Sequence, residues 1–148
     1  MTWILKPFDE LTPKELYQIL QLRNEVFIVE QNCPYQDLDN KDLKAFHLMG
    51  MRDNQLIAYS RLLAPGISYR ESSIGRVVSS PAARKSGMGK KLMAESILQI
   101  QHLFHTDTIR IGAQHYLKNF YESFGFIQEG DPYLEDNIPH IIMLRKPK

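Results

Sequence analysis

A short basic segment that contains two glycines is the part of this sequence with the clearest chemical potential. The segment from Arg84 to Lys91, RKSGMGKK, lies between an apolar run at 74–79 and a long amphipathic pattern at 92–104. That order predicts a strand, a tight turn and a helix. The turn would leave free backbone N–H groups at the start of the helix, beside basic side chains, and such an arrangement binds phosphate groups.

Two common phosphate motifs do not fit this segment. A Walker A loop that ends at Gly89-Lys90 requires glycine where Arg84 stands and serine or threonine where Lys91 stands. A dinucleotide-binding fingerprint that begins at Gly87 requires a small residue where Leu92 stands. ATP and NAD are therefore not favoured as ligands. A plain turn between a strand and a helix, which uses glycines only for its geometry, is the structural alternative.

Length, charge and cysteine content limit the class of protein. At 148 residues, the chain is expected to form a single domain, 1–148, with its own core. The 18 basic and 17 acidic residues give a net charge of +1, so nucleic acid is not the expected partner. The single cysteine, Cys33, fits a reducing compartment, and we expect a cytoplasmic location. Neither a signal peptide nor an apolar run of membrane-spanning length is expected, so no membrane partner is predicted.

The spacing of apolar residues predicts strands and helices that are mixed along the chain. Thr12 as N-cap, Pro13 in the first turn and Glu15 three residues after the cap predict a helix start. Arg23 interrupts the apolar face of that helix. Further helices are predicted from about Gly87 and around 116–124. The predicted strands are 3–8, 46–51, 56–63, 74–79, 108–112, 127–131 and 138–144. About six or seven strands with three or four helices favour an α/β or α+β sheet with helices on its faces.

Two motifs in the expected order resemble those of one enzyme family. Arg84-x-x-Gly87-x-Gly89, between a strand and a helix, resembles the acyl-CoA-binding signature of the GNAT N-acetyltransferases. The segment 120–126, FYESFGF, is similar to the aromatic segment that follows the fifth strand of those enzymes. Further stretches resemble the ElaA-like branch of the family, and together they extend from the first helix to the last strand. These stretches are 26–31, 33–37, 75–78, 112–114 and 138–140.

This resemblance implies a fold and an activity. The implied fold is a GNAT-type α/β (α+β) fold, with a mixed, mostly antiparallel central sheet of six to seven strands. Helices cover both faces, and a splayed strand pair binds acyl-CoA. The implied reaction moves an acetyl group from acetyl-CoA directly to a primary amine, without a metal or an acyl-enzyme. The acceptor would be a small molecule or a peptide amine, and a homodimer is compatible with the family. The alternative function is a non-catalytic acyl-CoA-binding or sensor module, which would not need Tyr121.

The resemblance also assigns residues to the cofactor. It places the pantetheine arm along the strand that contains Val77, Val78 and Ser79, where the backbone makes the contacts. Ser79 departs from the apolar residue that is usual in the family. Phosphates would bind backbone amides of 85–90 and the Arg84 side chain. The predicted cofactor-binding residues are Val77, Val78, Ser79, Arg84, Lys85, Ser86, Gly87, Met88, Gly89, Lys90, Gln114, Asn119 and Tyr121.

Tyr121 is the predicted catalytic acid. It aligns with the tyrosine that protonates the leaving thiolate in many family members, and a phenol with a pKa of about 10 suits that task. The alternative is a role as an aromatic core residue. Gln114, seven residues earlier, stands where many members have an asparagine that contacts the cofactor arm, and Asn119 is the alternative for that contact.

The sequence does not fix the general base. Glu30 is the first candidate, and Asp37 and Asp39 are two others in the predicted loop after the first helix. A chain of water molecules to solvent is the alternative to a side-chain base. If these carboxylates border the acceptor site, their charge favours a cationic acceptor. His140, on an apolar strand, is predicted to be a core or rim histidine. Cys33 is predicted to be structural rather than a nucleophile.

Overall fold

The computed structural model describes residues 1–147, and seven strands are mixed along them with three α-helices. The strands are β1 Thr2–Pro7, β2 Phe46–Arg52, β3 Gln55–Leu63, β4 Ser73–Ser79, β5 Ile109–Gln114, β6 Phe126–Glu135 and β7 Ile138–Arg145. The helices are α1 Pro13–Arg23, α2 Met88–Phe104 and α3 Lys118–Glu122, with a π-helix at Asn24–Glu30 and short 3₁₀ turns elsewhere. The predicted strand and helix positions agree with these bounds to within a few residues.

The strands form two antiparallel sheets. One sheet has the order β1-β2-β3-β4 and the other has the order β5-β7-β6. A tight turn at Asp53-Asn54 joins β2 to β3, and both turn residues have positive φ. Asparagine and aspartate tolerate this conformation better than other non-glycine residues, which explains why the predicted hairpin forms here.

Helices α1 and α2 cover opposite faces of the first sheet. Successive strand residues point to opposite faces, so Ala58 and Tyr59 of β3 belong to different layers. Tyr59 packs in a cluster with Ile19 and Leu22 of α1. Ala58 packs in a cluster with Leu92 of α2. The prediction of helices on both faces is therefore confirmed for this sheet.

The start of α1 agrees with its sequence motif. The Thr12 hydroxyl accepts a hydrogen bond from the Glu15 backbone at 3.1 Å, and the Glu15 carboxylate accepts one from the Thr12 backbone at 2.8 Å. The α-helix ends at Arg23, and the chain continues directly as the π-helix Asn24–Glu30. π-Helical turns are rare and frequently occur at functional sites. Val26, Phe27 and Glu30 of this segment line the opening between the sheets.

The two sheets meet at one point and then separate. A single parallel bridge joins Ser72 to Ile109, where the Arg110 amide donates to the Ser72 carbonyl at 2.9 Å. Beyond that bridge, β4 and β5 run in the same direction and diverge, so each is an edge strand of its own sheet. The predicted splayed strand pair is therefore β4 and β5.

Candidate functional site

A cleft of about 840 Å³ lies at the open side of the β4–β5 divergence. Val77, Val78 and Ser79 line it from β4, and Gln114 lines it from the end of β5. The π-helix, the start of α2 and α3 contribute the remaining walls near these strands. The strand divergence thus creates a long groove between two edge strands, with room for a ligand to lie beside the backbone of β4.

A bulge in β4 shapes this groove. Tyr59 pairs with Val78 and Arg61 pairs with Gly75, so β4 contains one residue more than β3 over this stretch. Arg76 lies in the bulge with φ +51°, a conformation that is unfavourable for a residue with a side chain. Asp37 holds it there, because the Asp37 carboxylate and carbonyl accept hydrogen bonds from Arg76 at 2.7 and 2.8 Å. The bulge bends β4 and changes the direction of its backbone N–H and C=O groups.

The basic segment forms the turn and the first turn of α2, next to the wide end of the cleft. Gly87 has φ +74° and immediately precedes Met88, the first residue of α2. The first amides of an α-helix have no partner within the helix, so they are free to bind an anion. Lys85, Ser86 and Lys90 are exposed.

The side chains of this segment differ in what they contribute. The Met88 side chain is completely buried in the core, so only its backbone is available to a ligand. Gly89 lines the cleft, and a Cβ atom there would approach the Phe120 ring at 3.7 Å. The absence of a side chain at Gly89 therefore leaves space in the cleft beside the N-terminus of α2.

Arg84 and Glu30, predicted as phosphate ligand and general base, are bonded to each other. Arg84 Nη1 lies 2.6 Å from Glu30 Oε1, and the two side chains are 40% and 42% exposed. Both residues line the cleft. The structure therefore brings together two predicted site residues from distant parts of the chain, but it gives the Glu30 carboxylate a cationic partner.

Tyr121 lies in α3 and reaches the cleft from within the core. It is 7% exposed, and its ring packs edge-on against Phe120 and Phe126. Burial, with a smaller contribution from Tyr116, raises the pKa of the Tyr121 phenol to about 12. A phenol in this environment stays protonated at neutral pH and is able to donate a proton. The residue is both part of the aromatic cluster and part of the cleft wall, so the two predicted roles are compatible.

Of the two candidates for the cofactor-arm contact, only Gln114 lines the cleft. Its side-chain amide donates to the Gln31 side chain at 3.4 Å. Asn119 is exposed on α3 and does not belong to the cleft wall. The geometry therefore favours Gln114 over Asn119.

The other two predicted loop carboxylates are neutralised by arginines. Asp37 lies between Arg23 and Arg76, at 3.0 and 2.7 Å. Asp39 receives two hydrogen bonds from Arg61, at 2.8 and 3.0 Å. These contacts correct the expectation that Asp37 and Asp39 attract a cationic acceptor. Their charges are used inside the protein, where they attach the 31–42 loop to the sheet.

This network extends into the core through Asp42. The Asp42 carboxylate accepts from Arg23 at 2.8 Å and from Arg61 at 3.1 Å. Arg23 is completely buried, which explains how an arginine is tolerated on the apolar face of α1. Burial by itself would lower the pKa of Arg23, but the hydrogen bond that Arg23 donates to Asp42 and the nearby negative charges raise it instead. No local pattern in the sequence indicates these partners, since they come from separate segments.

The wall opposite β4 includes several residues that the sequence did not assign to the cofactor or to catalysis, beside the assigned Gln114. Register pairs His140 of β7 with Gln114 of β5 and with Tyr133 of β6, so the three side chains share one face of the second sheet. Tyr69 and Glu135 also line this part of the cleft. A Cβ atom at Gly112 would lie 3.0 Å from the Tyr133 hydroxyl and 3.2 Å from the Tyr69 hydroxyl. His140 is 8% exposed, which confirms its predicted position at the rim of the core.

Cys33 does not belong to the cleft wall. The Cys33 thiol donates to the Asp136 carbonyl at 3.3 Å, which connects the 31–42 loop to the β6–β7 turn. Within residues 1–147, no three His, Cys, Asp or Glu side chains converge in a way that would hold a metal ion. Over the same residues, every helix is too short or too polar to cross a lipid bilayer.

Comparisons with known proteins place this fold and cleft in a family. The family described as "Acetyltransferase (GNAT) domain" matches residues 10–146, so the chain belongs to the GNAT acetyltransferase family. Within that family it is similar to the protein ElaA of Escherichia coli strain K12, with 44% identity over 140 residues that span 93% of this chain and 92% of ElaA. The crystal structure of Escherichia coli ElaA gives a TM-score of 0.91 at 42% identity, covering 99% of this chain and 100% of that one.

Two further solved structures are informative. An acyl-CoA N-acyltransferase from Pseudomonas aeruginosa has 47% identity and a TM-score of 0.92, over 98% of this chain and 99% of that one. An aminoglycoside 6'-N-acetyltransferase complexed with coenzyme A has a TM-score of 0.69 at 16% identity, over 96% of each chain, and supports the fold alone. Membership in the GNAT acetyltransferase family supports an acyltransferase that uses an acyl-CoA donor.

Proposed function

We propose that this protein transfers an acetyl group from acetyl-CoA directly to the nitrogen of a primary amine, and that the whole chain is one cytoplasmic acetyltransferase domain. The observation that carries the proposal is the divergence of β4 from β5 into a groove that ends beside the N-terminus of α2. A long ligand with an anionic end fits this shape, since its diphosphate can bind free helix amides while its arm lies along β4.

The phosphate end of the proposed site combines backbone and side chains. Amides at the start of α2 donate to the diphosphate, and Gly87 and Gly89 let the backbone approach it closely. Arg84 turns from Glu30 to a phosphate oxygen, while Lys85 and Lys90 add positive charge around the entrance. The solved relative that is described as a complex with coenzyme A supports this ligand for the fold.

The arm of the donor then follows the open edge of β4. Val77, Val78 and Ser79 contribute backbone groups there, and the bulge at Arg76 aims one of the amides at the thioester oxygen. A backbone donor at that oxygen stabilises the negative charge that develops when the amine attacks. Gln114 contacts the arm from the facing strand.

The chemical step needs one proton donor and one proton acceptor. Tyr121 donates its phenol proton to the sulfur as the carbon–sulfur bond breaks, and its raised pKa keeps that proton available. Glu30 is the first candidate for the base among the carboxylates that the sequence offers. Because Arg84 holds the Glu30 carboxylate, Glu30 becomes available for this role only when Arg84 turns to the diphosphate.

Calorimetry with coenzyme A and a thiol-release assay with acetyl-CoA and a panel of primary amines test the proposal together. We expect coenzyme A to bind, at least one amine to accelerate thiol release, and mass spectrometry to detect the acetylated amine. The Gly87→Glu variant should lose coenzyme A binding, because a carboxylate would stand where phosphate is expected. Absence of binding would contradict the site, whereas binding without release for every amine would favour the sensor function.

A further inference from the structure

His140 and Glu135 form a polar pair on the cleft wall opposite β4. His140 Nδ1 lies 2.7 Å from the Ile138 carbonyl oxygen, and His140 Nε2 lies 3.4 Å from Glu135 Oε2. A carbonyl oxygen only accepts, so Nδ1 carries a hydrogen and donates it to Ile138. Nε2 is therefore the basic nitrogen of the neutral ring, and it is directed towards Glu135. This tautomer is the one that a general base at Nε2 requires.

Glu135 and Asp136 are the acidic cleft-lining residues that lack an arginine or lysine partner within the described chain. Glu30 is bonded to Arg84, and Asp39 to Arg61. The ionic contact of Glu135 is the one to His140, and its side chain is 59% exposed. The Asp136 carbonyl accepts from Cys33, but no ion pair involves its carboxylate among residues 1–147. Negative charge is thus available at the β6–β7 end of the cleft, whereas the α2 end is positive.

Two phenols complete this end of the cleft. The Tyr69 and Tyr133 hydroxyls converge above Gly112, and the Tyr133 ring lies 5.9 Å from the His140 ring at 31°. Burial, and then the charge of Glu135, raise the pKa values of both phenols, that of Tyr133 to about 12. Both therefore stay neutral and can accept a hydrogen bond from an ammonium group or offer their rings to a cation.

Resting on the proposed acetyl transfer, we propose that the acceptor enters this end of the cleft as a cationic ammonium and that His140 Nε2 takes its proton. Glu135 binds the ammonium, and it then stabilises the imidazolium that forms. This assignment gives the base a pre-set tautomer and an anionic partner, whereas Glu30 would first have to lose its contact with Arg84.

The proton balance of this step closes. The ammonium gives one proton to His140 Nε2, and the free nitrogen lone pair forms the bond to the acetyl carbon. The carbon–sulfur bond breaks as Tyr121 donates a proton to sulfur. The nitrogen releases a second proton to solvent as the amide forms, and the Tyr121 phenolate takes up one proton from solvent. The products are the acetamide, the free thiol and the proton held by His140.

Two variants that preserve side-chain size and polarity test the pair of His140 and Glu135. His140→Asn keeps a side-chain N–H near Ile138 but removes Nε2, and Glu135→Gln keeps the length while removing the charge. With an amine that the wild type acetylates, we expect His140→Asn to lower kcat/KM about 100-fold near pH 7, a typical contribution of a general base. Glu135→Gln should mainly raise KM for the amine, because the acceptor ammonium loses its anionic contact. Coenzyme A affinity should stay unchanged in both variants, and exposed His102→Asn serves as the control.

A pH profile separates catalysis from structure. Without Nε2 the reaction depends on free amine from solution, so the rate of His140→Asn should rise about tenfold per pH unit below the pKa of the amine. The titratable groups around His140 that also bear on this pH profile are Glu135, Tyr133 and Tyr69, with Asp136 in the adjacent turn. Nearby Arg110 is paired with Glu71 and Glu129.

The outcomes distinguish this inference from the proposed function. An unchanged kcat/KM and pH profile in His140→Asn, with an active wild type, would overturn the role of His140 alone. If Glu30→Gln shows the loss of kcat/KM expected for His140→Asn, and His140→Asn remains fully active, the general base is Glu30. If the wild type binds coenzyme A but acetylates no amine, both the inference and the acetyltransferase function are overturned. Similar thermal midpoints in all variants verify that the fold is intact.

Discussion

The Glu30 carboxylate and the Arg84 guanidinium lie 2.6 Å apart across the mouth of the cleft. Glu30 ends the π-helix, and Arg84 lies in the 3₁₀ turn Pro81–Ser86 that precedes α2. The contact therefore connects the segment after α1 to the proposed phosphate site. A phosphate and the Glu30 carboxylate would compete for the same cation, because Arg84 has one guanidinium group to offer.

This competition predicts that Glu30→Gln binds coenzyme A more tightly than the wild type. An exposed ion pair contributes up to about 1 kcal/mol, so the gain should be about two- to fivefold. Arg84→Gln should weaken binding by about tenfold, because a charge-assisted hydrogen bond to phosphate is lost. Isothermal titration calorimetry measures both. Exposed Glu25 lies in the same π-helix, so Glu25→Gln is the control, and an equal gain in that variant would point to general electrostatics instead.

Tyr121→Phe should lower turnover at least about tenfold with little change in coenzyme A affinity, since it removes the proton donor and leaves the ring. The pKa of about 12 also has a consequence for pH dependence. A raised pKa favours the protonated phenol, so Tyr121 should cause no loss of turnover up to about pH 11. Tyr17→Phe, at a residue of α1 that is 70% exposed and does not line the cleft, is the control. Full turnover in Tyr121→Phe would remove this residue from the mechanism.

The buried network predicts that Asp42→Asn is strongly destabilising. Asp42 is 7% exposed and accepts hydrogen bonds from two buried arginines, Arg23 and Arg61. Removal of one partner from a buried ion pair costs about 3 kcal/mol or more, and here the network would be left with three arginines against the two carboxylates of Asp37 and Asp39. Urea unfolding gives the free energy of unfolding directly. Asp53→Asn in the exposed β2–β3 turn should have little effect, because asparagine accepts the positive φ found there.

Acid should destabilise the protein partly through Asp39. Burial by itself would raise the pKa of Asp39, but the hydrogen bonds and charge of Arg61 outweigh it and lower the pKa to about 2. A lowered folded-state pKa stabilises the fold above the unfolded value of about 4, and this stabilisation is lost as the pH falls towards 2. Urea midpoints between pH 6 and pH 2 should therefore decline less steeply for Asp39→Asn than for the wild type. Parallel curves would rule out this linkage.

Gly87→Ala should reduce stability through backbone strain alone. Gly87 has φ +74°, and a Cβ atom added there meets nothing within 4 Å. The left-handed conformation costs a residue with a side chain about 1 kcal/mol, which corresponds to a melting temperature lower by about 2–4 °C. Gly75→Ala, with equally open space and without that conformation, is the control for differential scanning fluorimetry. Equal melting temperatures for the two variants would contradict this explanation.

Local patterns were sufficient to predict most of the fold. The capping box at Thr12 and Glu15, the Asp53-Asn54 turn and the glycine before α2 each act within a few residues, so their effects are visible in the sequence. The family motifs similarly predicted the splayed strands and the position of Tyr121 in the cleft wall. Arg23 was different, because its buried position depends on Asp37 and Asp42, which are distant in the chain.

The sequence by itself determined the elements, the family and the residues around the proposed phosphate and thioester sites, because those depend on short-range spacing. Only the tertiary structure decided which carboxylates carry available charge. Arg23, Arg61, Arg76 and Arg84 neutralise the loop carboxylates through contacts between distant segments. Strand register then brings His140, Tyr133 and Gln114 onto one face, and Glu135 beside them. Register and ion pairing are properties of the folded chain, since each requires several segments to be in place together.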